Sequence, residues 1–117
     1  MRNENGQASY RRGVMSLVLL SLLKREDMYG YQLVQEIERC SGGRIVTQEG
    51  SLYPVLYRLL DQGLISDRTV LVGKRMRRIY HHIESTGEEK LRELIAEYEQ
   101  ITQGVFQIIR GGEVDNE

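Results

Sequence analysis

Leu91, Tyr98 and Val105 recur every seven residues, and Leu94/Ile95, Ile101/Thr102 and Ile108/Ile109 fill the alternate positions. That spacing is a heptad seam on a single long helix. Ser85 with Glu88, and Thr86 with Glu89, give the helix a doubled capping-box start, and Gly111-Gly112 ends it after Arg110. About 25 residues at ~1.5 Å each make a rod of roughly 37 Å. The elements before it are too short to cover such a rod. The pattern therefore predicts a homodimer, with Leu91, Leu94, Ile95, Tyr98, Ile101, Val105 and Ile108 at the interface. The competing arrangement is a helix folded back on its own domain.

The rest of the chain is read under that constraint. Its 117 residues suffice for one domain and not for two ordinary ones. The most apolar run, Val14 to Leu23, is broken by Ser16 and Ser21 and falls short of the roughly 20 residues a membrane span needs. The following "KREDMYGY" has no small-residue cleavage site, so the expected location is the cytoplasm. Cys40 is the only cysteine, which excludes an internal disulfide and a cysteine-built zinc site. It is expected to be a buried structural thiol.

Three helices are expected ahead of the rod. The first runs from about Arg11 to Lys24 and is apolar on most sides, so more than one neighbour should bury it. The second follows the polar turn "KRED", with Asp27 as N-cap, a stripe of Leu33, Val34, Ile37 and Cys40, and a Gly42-Gly43 stop. The third is "EGSLYPVLYRLLDQGLI", whose Leu52, Val55, Leu56, Leu59 and Leu60 share one face. Pro54 has no N–H to give and belongs near its first turn. Two β-rich runs, "LISDRTVLV" and "RMRRIYHHI", then form a hairpin around Gly73-Lys74.

Helix, helix, helix, hairpin is the order of a winged helix-turn-helix, in which the third helix enters the major groove and the wing follows the phosphates. The side of the third helix opposite the leucines fits that role. Ser51, Pro54, Arg58 and Asp61 form one stripe, with Tyr53 and Tyr57 alongside. Hydroxyls donate to phosphates, rings pack on sugars or thymine methyls, and an arginine takes phosphate or guanine. The net charge of −1 hides the electrostatic half of the pattern. Residues 58–83 hold six basic side chains against Asp61 and Asp67, whereas residues 84–117 hold nine acids against three bases. Lys74, Arg75, Arg77 and Arg78 crowd the wing, where phosphates are the partners that such a charge suits.

The blocks "DMYGYQLVQEIE" and "EGSLYPVLYRLLDQGLI", and a basic wing ending in "RRIYHHIESTGEEKL", resemble the PadR family of bacterial transcriptional regulators. The resemblance covers about residues 10–110, and the length matches the short subgroup with a single C-terminal helix. It implies a dimeric winged-helix repressor, released from an operator by a small molecule or a stress signal. It also implies that Tyr29, Ser51, Tyr53, Arg58 and the basic wing lie near DNA. The chain departs from the family where a Lys-Tyr-Tyr run and a later threonine are usual: it has Ile79-Tyr80-His81 and Glu84. Tyr98 stands where drug-binding members present a tryptophan across a dimer pore.

The reading divides the chain into a winged helix-turn-helix domain (10–83), a dimerisation helix (84–110) and flexible ends (1–9 and 111–117). Leu17, Tyr98 and Ile101 are candidates to line an effector pocket for a small hydrophobic or aromatic molecule. His81 and His82 point to opposite faces of a strand and make a poor metal pair, each expected to be satisfied or exposed. Neither metal nor cofactor is expected. No nucleophile–base pair, glycine-rich phosphate loop or carboxylate cluster outside the acidic helix suggests an enzyme. The competing class is a winged-helix module that binds a protein partner and no DNA. Such a module has little need for four basic wing residues.

Overall fold

The computed structural model describes residues 4–111, with side chains from Gly13 onward; residues 1–3 and 112–117, within the expected flexible ends, lie outside the described residues. Four helices and a small sheet follow one another as α1 (Glu4–Arg25), β1 (Met28–Tyr29), α2 (Gly30–Cys40), α3 (Glu49–Asp61), β2 (Ile65–Val72), β3 (Met76–Ile83) and α4 (Ser85–Ile109). The result is a winged helix-turn-helix with a long C-terminal helix, as the element order implied. Helix α1 starts at Glu4 and not near Arg11, because no proline interrupts the intervening stretch. Its Leu19, Leu20, Leu22 and Leu23 are all buried, since α2, α3, β3 and α4 all pack against it.

The wing is a three-stranded antiparallel sheet in the order β1-β3-β2, where the sequence suggested a simple hairpin. Gly73, at φ +69°, makes the turn that pairs Val72 with Met76. β1 adds only two residues, Met28 opposite His81 and Tyr29 opposite Tyr80. This pairing displaces Asp27 from its expected capping position. Tyr29 is the residue that precedes α2, in extended conformation, and its N–H donates to Gln32 Oε1 at 3.4 Å. Asp27 reaches across to the wing instead: Arg68 Nη1 lies at 2.5 Å and His82 Nδ1 at 2.8 Å.

Three other expectations also shift. Pro54 is the sixth residue of α3, not a first-turn residue, because the helix already begins at Glu49. The Gly50 carbonyl thereby loses its donor, and the exposed position of Gly50 leaves that oxygen to water. Cys40 is exposed, not buried; it lies one turn beyond Ile37, where the α2 stripe leaves the core, with Glu36 and Arg39 around the thiol. Glu84, not Ser85, precedes α4 in extended conformation. The Thr86 hydroxyl is committed elsewhere, donating to the Gly63 carbonyl at 2.6 Å.

The apolar face of α3 is as the spacing predicted, with Leu52, Val55, Leu56 and Leu59 buried. α4 is different along its length. Leu91 is 4% exposed and belongs to the protomer's own core, and Leu94 packs partly against it. The seam available to a second copy therefore starts later than the heptads suggested. From Ile95 to Ile109 the apolar side chains face outward, Ile101 at 60% and Ile108 at 73% exposed. Among the described residues, no helix is long and apolar enough to cross a membrane.

Candidate nucleic-acid interface

The leucine face of α3 is sealed in the core, so the opposite side of the helix must face outward. Ser51, Pro54, Tyr57 and Asp61 are exposed there, and Arg58 is half-buried. Tyr57 is the most prominent, at 63% exposure. Its ring rests against Tyr53, with centroids 6.0 Å apart and planes 26° from parallel. Tyr53 is itself half-buried, and its hydroxyl donates to Glu49 Oε2 at 3.1 Å. Burial pushes the Tyr53 phenol up, and the hydrogen bond to Glu49 adds to the effect. Tyr53 thus backs Tyr57 and keeps its own hydroxyl turned inward.

Gly30 makes this arrangement possible. A Cβ there would stand 3.0 Å from the Tyr53 hydroxyl and 3.1 Å from Glu49 Oε2. Neither Glu49 nor Gly30 was singled out by the sequence; the only hint was a glycine between two tyrosines in "YGY".

On the wing, Lys74 and Arg75 occupy the turn and Arg77 and Arg78 follow on β3, pointing to opposite faces. Lys74, Arg75 and Arg77 are exposed. Arg78 is half-buried, its guanidinium 4.3 Å from the centroid of Tyr29. Tyr29 meets Tyr80 edge-on at 5.3 Å, and Arg68 lies 5.4 Å over Tyr80. A continuous relay of Arg78, Tyr29, Tyr80, Arg68, Asp27 and His82 therefore stiffens the outer face of the wing. Among the described residues, none of Arg58, Lys74, Arg75, Arg77 and Arg78 lies within 4.0 Å of a carboxylate. Their charge is not neutralised by any of the described residues.

The two histidines do take opposite faces. His82 is exposed and paired with Asp27. His81 is 4% exposed, and its Nδ1 has no hydrogen-bond partner among the described residues, so it is neither satisfied nor exposed. Among those residues no cluster of His, Cys, Asp and Glu is arranged to hold a metal. Desolvation holds the His81 pKa below the ordinary 6.5, partly offset by Asp67. Unfolded His81 therefore binds a proton more readily than folded His81, and stability falls as pH drops through about 6.5. Burial would raise the Asp27 pKa, but hydrogen bonds from His82 and Arg68 lower it below 3.8 overall, so its contribution is lost only in stronger acid. Thermal melts between pH 7.5 and 5.5 should show a steady fall in Tm, on the order of a few degrees. His81→Gln should flatten that slope, and an unchanged slope would exclude His81 as its source.

A concavity of about 460 Å³ runs between α1 and α4. It brings together Leu17, Tyr98 and Ile101, and adds Val14, Val105 and Phe106 to its walls. The sequence reading did not single out Phe106, which stands one place past the heptad position.

Against known proteins, residues 19–93 match the family described as Transcriptional regulator PadR-like. Transcriptional regulator YqjI of Escherichia coli (strain K12) is 36% identical over 69 residues, or 59% of this chain and 33% of that one. The chain thus spans about a third of the length of this curated relative. A PadR family transcriptional regulator from Eggerthella lenta DSM 2243 superposes with a TM-score of 0.76 at 30% identity, over 92% of each chain. The fold recurs in Bacillus subtilis PadR, whose structure is a complex with operator DNA. There the TM-score is 0.65 at 23% identity, over 70% of this chain and 47% of that chain. With the end of α1, all of α2, α3 and the wing, and the start of α4 inside the matched segment, this chain belongs to the PadR-like family of transcriptional regulators.

Proposed function

We propose that the chain is a dimeric repressor that binds a double-stranded DNA operator in a sequence-specific way. The observation that carries this reading is the unneutralised charge of Lys74, Arg75 and Arg77 beside the exposed stripe of α3. In this reading α3 enters the major groove, with Ser51, Pro54, Tyr57 and Arg58 at the bases and nearest phosphates. Tyr53 acts by propping Tyr57. The wing tip follows the backbone, and Arg78 is aimed by the Tyr29 ring beneath it. The Bacillus subtilis PadR complex with operator DNA supports the assignment through the shared fold.

Mobility-shift titration against DNA upstream of the chain's own coding sequence tests the proposal. A saturable shift that excess unrelated DNA does not compete away is the expected result; no shift at low salt would refute it. Lys74→Ala and Arg75→Ala should weaken binding to all sequences alike. Each lost phosphate contact should also reduce the salt slope by about 1. A variant that loses affinity for one sequence only, with the slope intact, would mean base contact and not phosphate contact.

Release by a small-molecule or stress signal is the second part of the proposal. The groove between α1 and α4 suits a planar, mostly apolar effector, with the Tyr98 hydroxyl as a polar handle. Binding there changes operator affinity only if it favours one spacing of the two recognition helices over another. Aromatic compounds titrated against the protein–DNA complex should release DNA from wild type and fail to do so from Tyr98→Ala. Equal release in both would place the effector elsewhere.

A further inference from the structure

The tip of the wing carries apolar side chains that the fold does not use. Leu71 is 60% and Met76 57% exposed, and neither packs on the core. Strands favour β-branched and aromatic residues, so propensity does not account for a leucine and a methionine here. Register fixes their surroundings. Leu71 stands opposite Arg77, and Met76 stands opposite Val72 and between Arg75 and Arg77 in sequence. Side chains alternate along a strand, so Leu71 projects from one face of the ribbon and Met76, with Val72, from the other. The ribbon ends in Lys74 and Arg75, both exposed.

We propose that this tip enters the DNA minor groove beside the major-groove site of α3, with Leu71 and Met76 packed on its two sugar walls. The inference rests on the DNA-binding reading and adds to it what the wing does with its apolar faces. Whatever meets Lys74, Arg75 and Arg77 must also meet Leu71 and Met76, because all five lie within residues 71–77. Among the described residues no carboxylate within 4.0 Å claims those cations, so charge selects an anionic partner. Phosphates followed from outside the duplex would leave at least one apolar face of the ribbon in water. The minor groove covers both faces, since deoxyribose lines its walls and phosphates rim them. Leucine and methionine are among the side chains that minor-groove proteins wedge between base steps.

Size adds a consequence. The minor groove of B-DNA is about 6 Å wide, whereas a ribbon with side chains on both faces is roughly 10 Å thick, the spacing of packed sheets. Entry therefore opens the groove, and the energy of opening depends on the DNA sequence beneath the wing. Pyrimidine–purine steps yield easily, while A-tracts are stiff and narrow-grooved. A wing that acted through charge alone would have the opposite preference. The narrow groove of an A-tract has the stronger negative potential and draws in Arg and Lys. The sign of the preference separates the two modes.

Two duplexes of equal length and composition provide the probe: alternating dA-dT, rich in TA steps, and a single tract of dA paired with dT. In fluorescence anisotropy titrations at low salt, the full chain should bind the alternating duplex about tenfold more tightly. Leu71→Thr combined with Met76→Gln should weaken that binding about tenfold or more and remove the preference. The salt slope should stay as in wild type, because an apolar contact releases no counterions. Both positions are exposed, and a thermal melt verifies the folding of the double variant. A preference for the A-tract, or one that survives the double substitution, would overturn the wedge and leave DNA binding intact. A salt slope lowered as far as in Lys74→Ala would assign the loss to displaced cations and overturn it too. No binding to either duplex would overturn the wedge and the DNA-binding reading together. Absence of a specific shift on the upstream DNA, with the alternating duplex still preferred, would refute the operator reading alone.

Discussion

Ile101→Glu should convert the protein to a folded monomer that no longer holds two operator half-sites. Ile101 is 60% exposed in the protomer, at the centre of an apolar strip that includes Tyr98, Val105 and Ile108. If a second copy covers that strip, each isoleucine gains about 1.5–3 kcal/mol from burial, and twofold symmetry counts it twice. A carboxylate at the same place forfeits the gain and adds a desolvation cost of several kcal/mol per copy. The dimer dissociation constant should therefore rise by about a thousandfold or more. Recognition helices joined at the wrong spacing, or not joined, lose the benefit of half-sites about 34–36 Å apart or a multiple of that. Sedimentation velocity reads the first effect and mobility shift the second. Leu94→Glu provides the contrast, because Leu94 packs on the protomer core and its loss should cost folding as well as association. An Ile101→Glu protein that sediments as an undisturbed dimer would place the interface somewhere other than α4.

The large features were legible because each repeats a period or carries a stop. Leucines of α3 recur at helical spacing over two turns, the wing strands flank a glycine turn, and α4 keeps its heptads for its whole length. What escaped was settled by contacts between distant segments. A strand as short as β1 has no period of its own; it exists because Met28 and Tyr29 find β3, more than fifty positions away. That pairing carries Asp27 to Arg68 and His82, so a residue with a good local capping signal serves a distant ion pair instead. Thr86 shows the same competition, its hydroxyl taken by the Gly63 carbonyl. On α4 the heptads identified a face but not its owner: Leu91 goes to the protomer, and only the later turns remain open. In the candidate interface, the stripe of α3 and the basic wing were readable from residue types. The inward turn of Tyr53, the relay behind Arg78 and the sealed His81 depend on how α2, α3 and the sheet meet.

Gly87→Ala should lower stability sharply, although local propensity argues for the opposite. Alanine exceeds glycine inside a helix by roughly 0.5–1 kcal/mol, and Gly87 is the third residue of α4. A Cβ at this position, however, would overlap the Leu64 carbonyl oxygen and stand 2.8 Å from Ile83 Cγ1. The carbonyl has no freedom to retreat. It accepts the Glu84 N–H at 2.9 Å, and the Leu64 N–H is tied to the Leu59 carbonyl at 3.0 Å. Relief must come from moving the start of α4 away from the turn between α3 and β2, which opens the core at Ile65, Ile83 and Leu91. Overpacking of this kind costs about 1–3 kcal/mol and sometimes more, which exceeds the propensity gain. For a chain of this size the expected fall in Tm is about 5–15 °C. Gly50→Ala separates the two effects, because nothing lies within 4 Å of a Cβ at Gly50. That variant should melt at or slightly above the wild-type temperature. Should Gly87→Ala do the same, the close approach of α4 to the Leu64 carbonyl is wrong, and with it the seat of α4 on the domain.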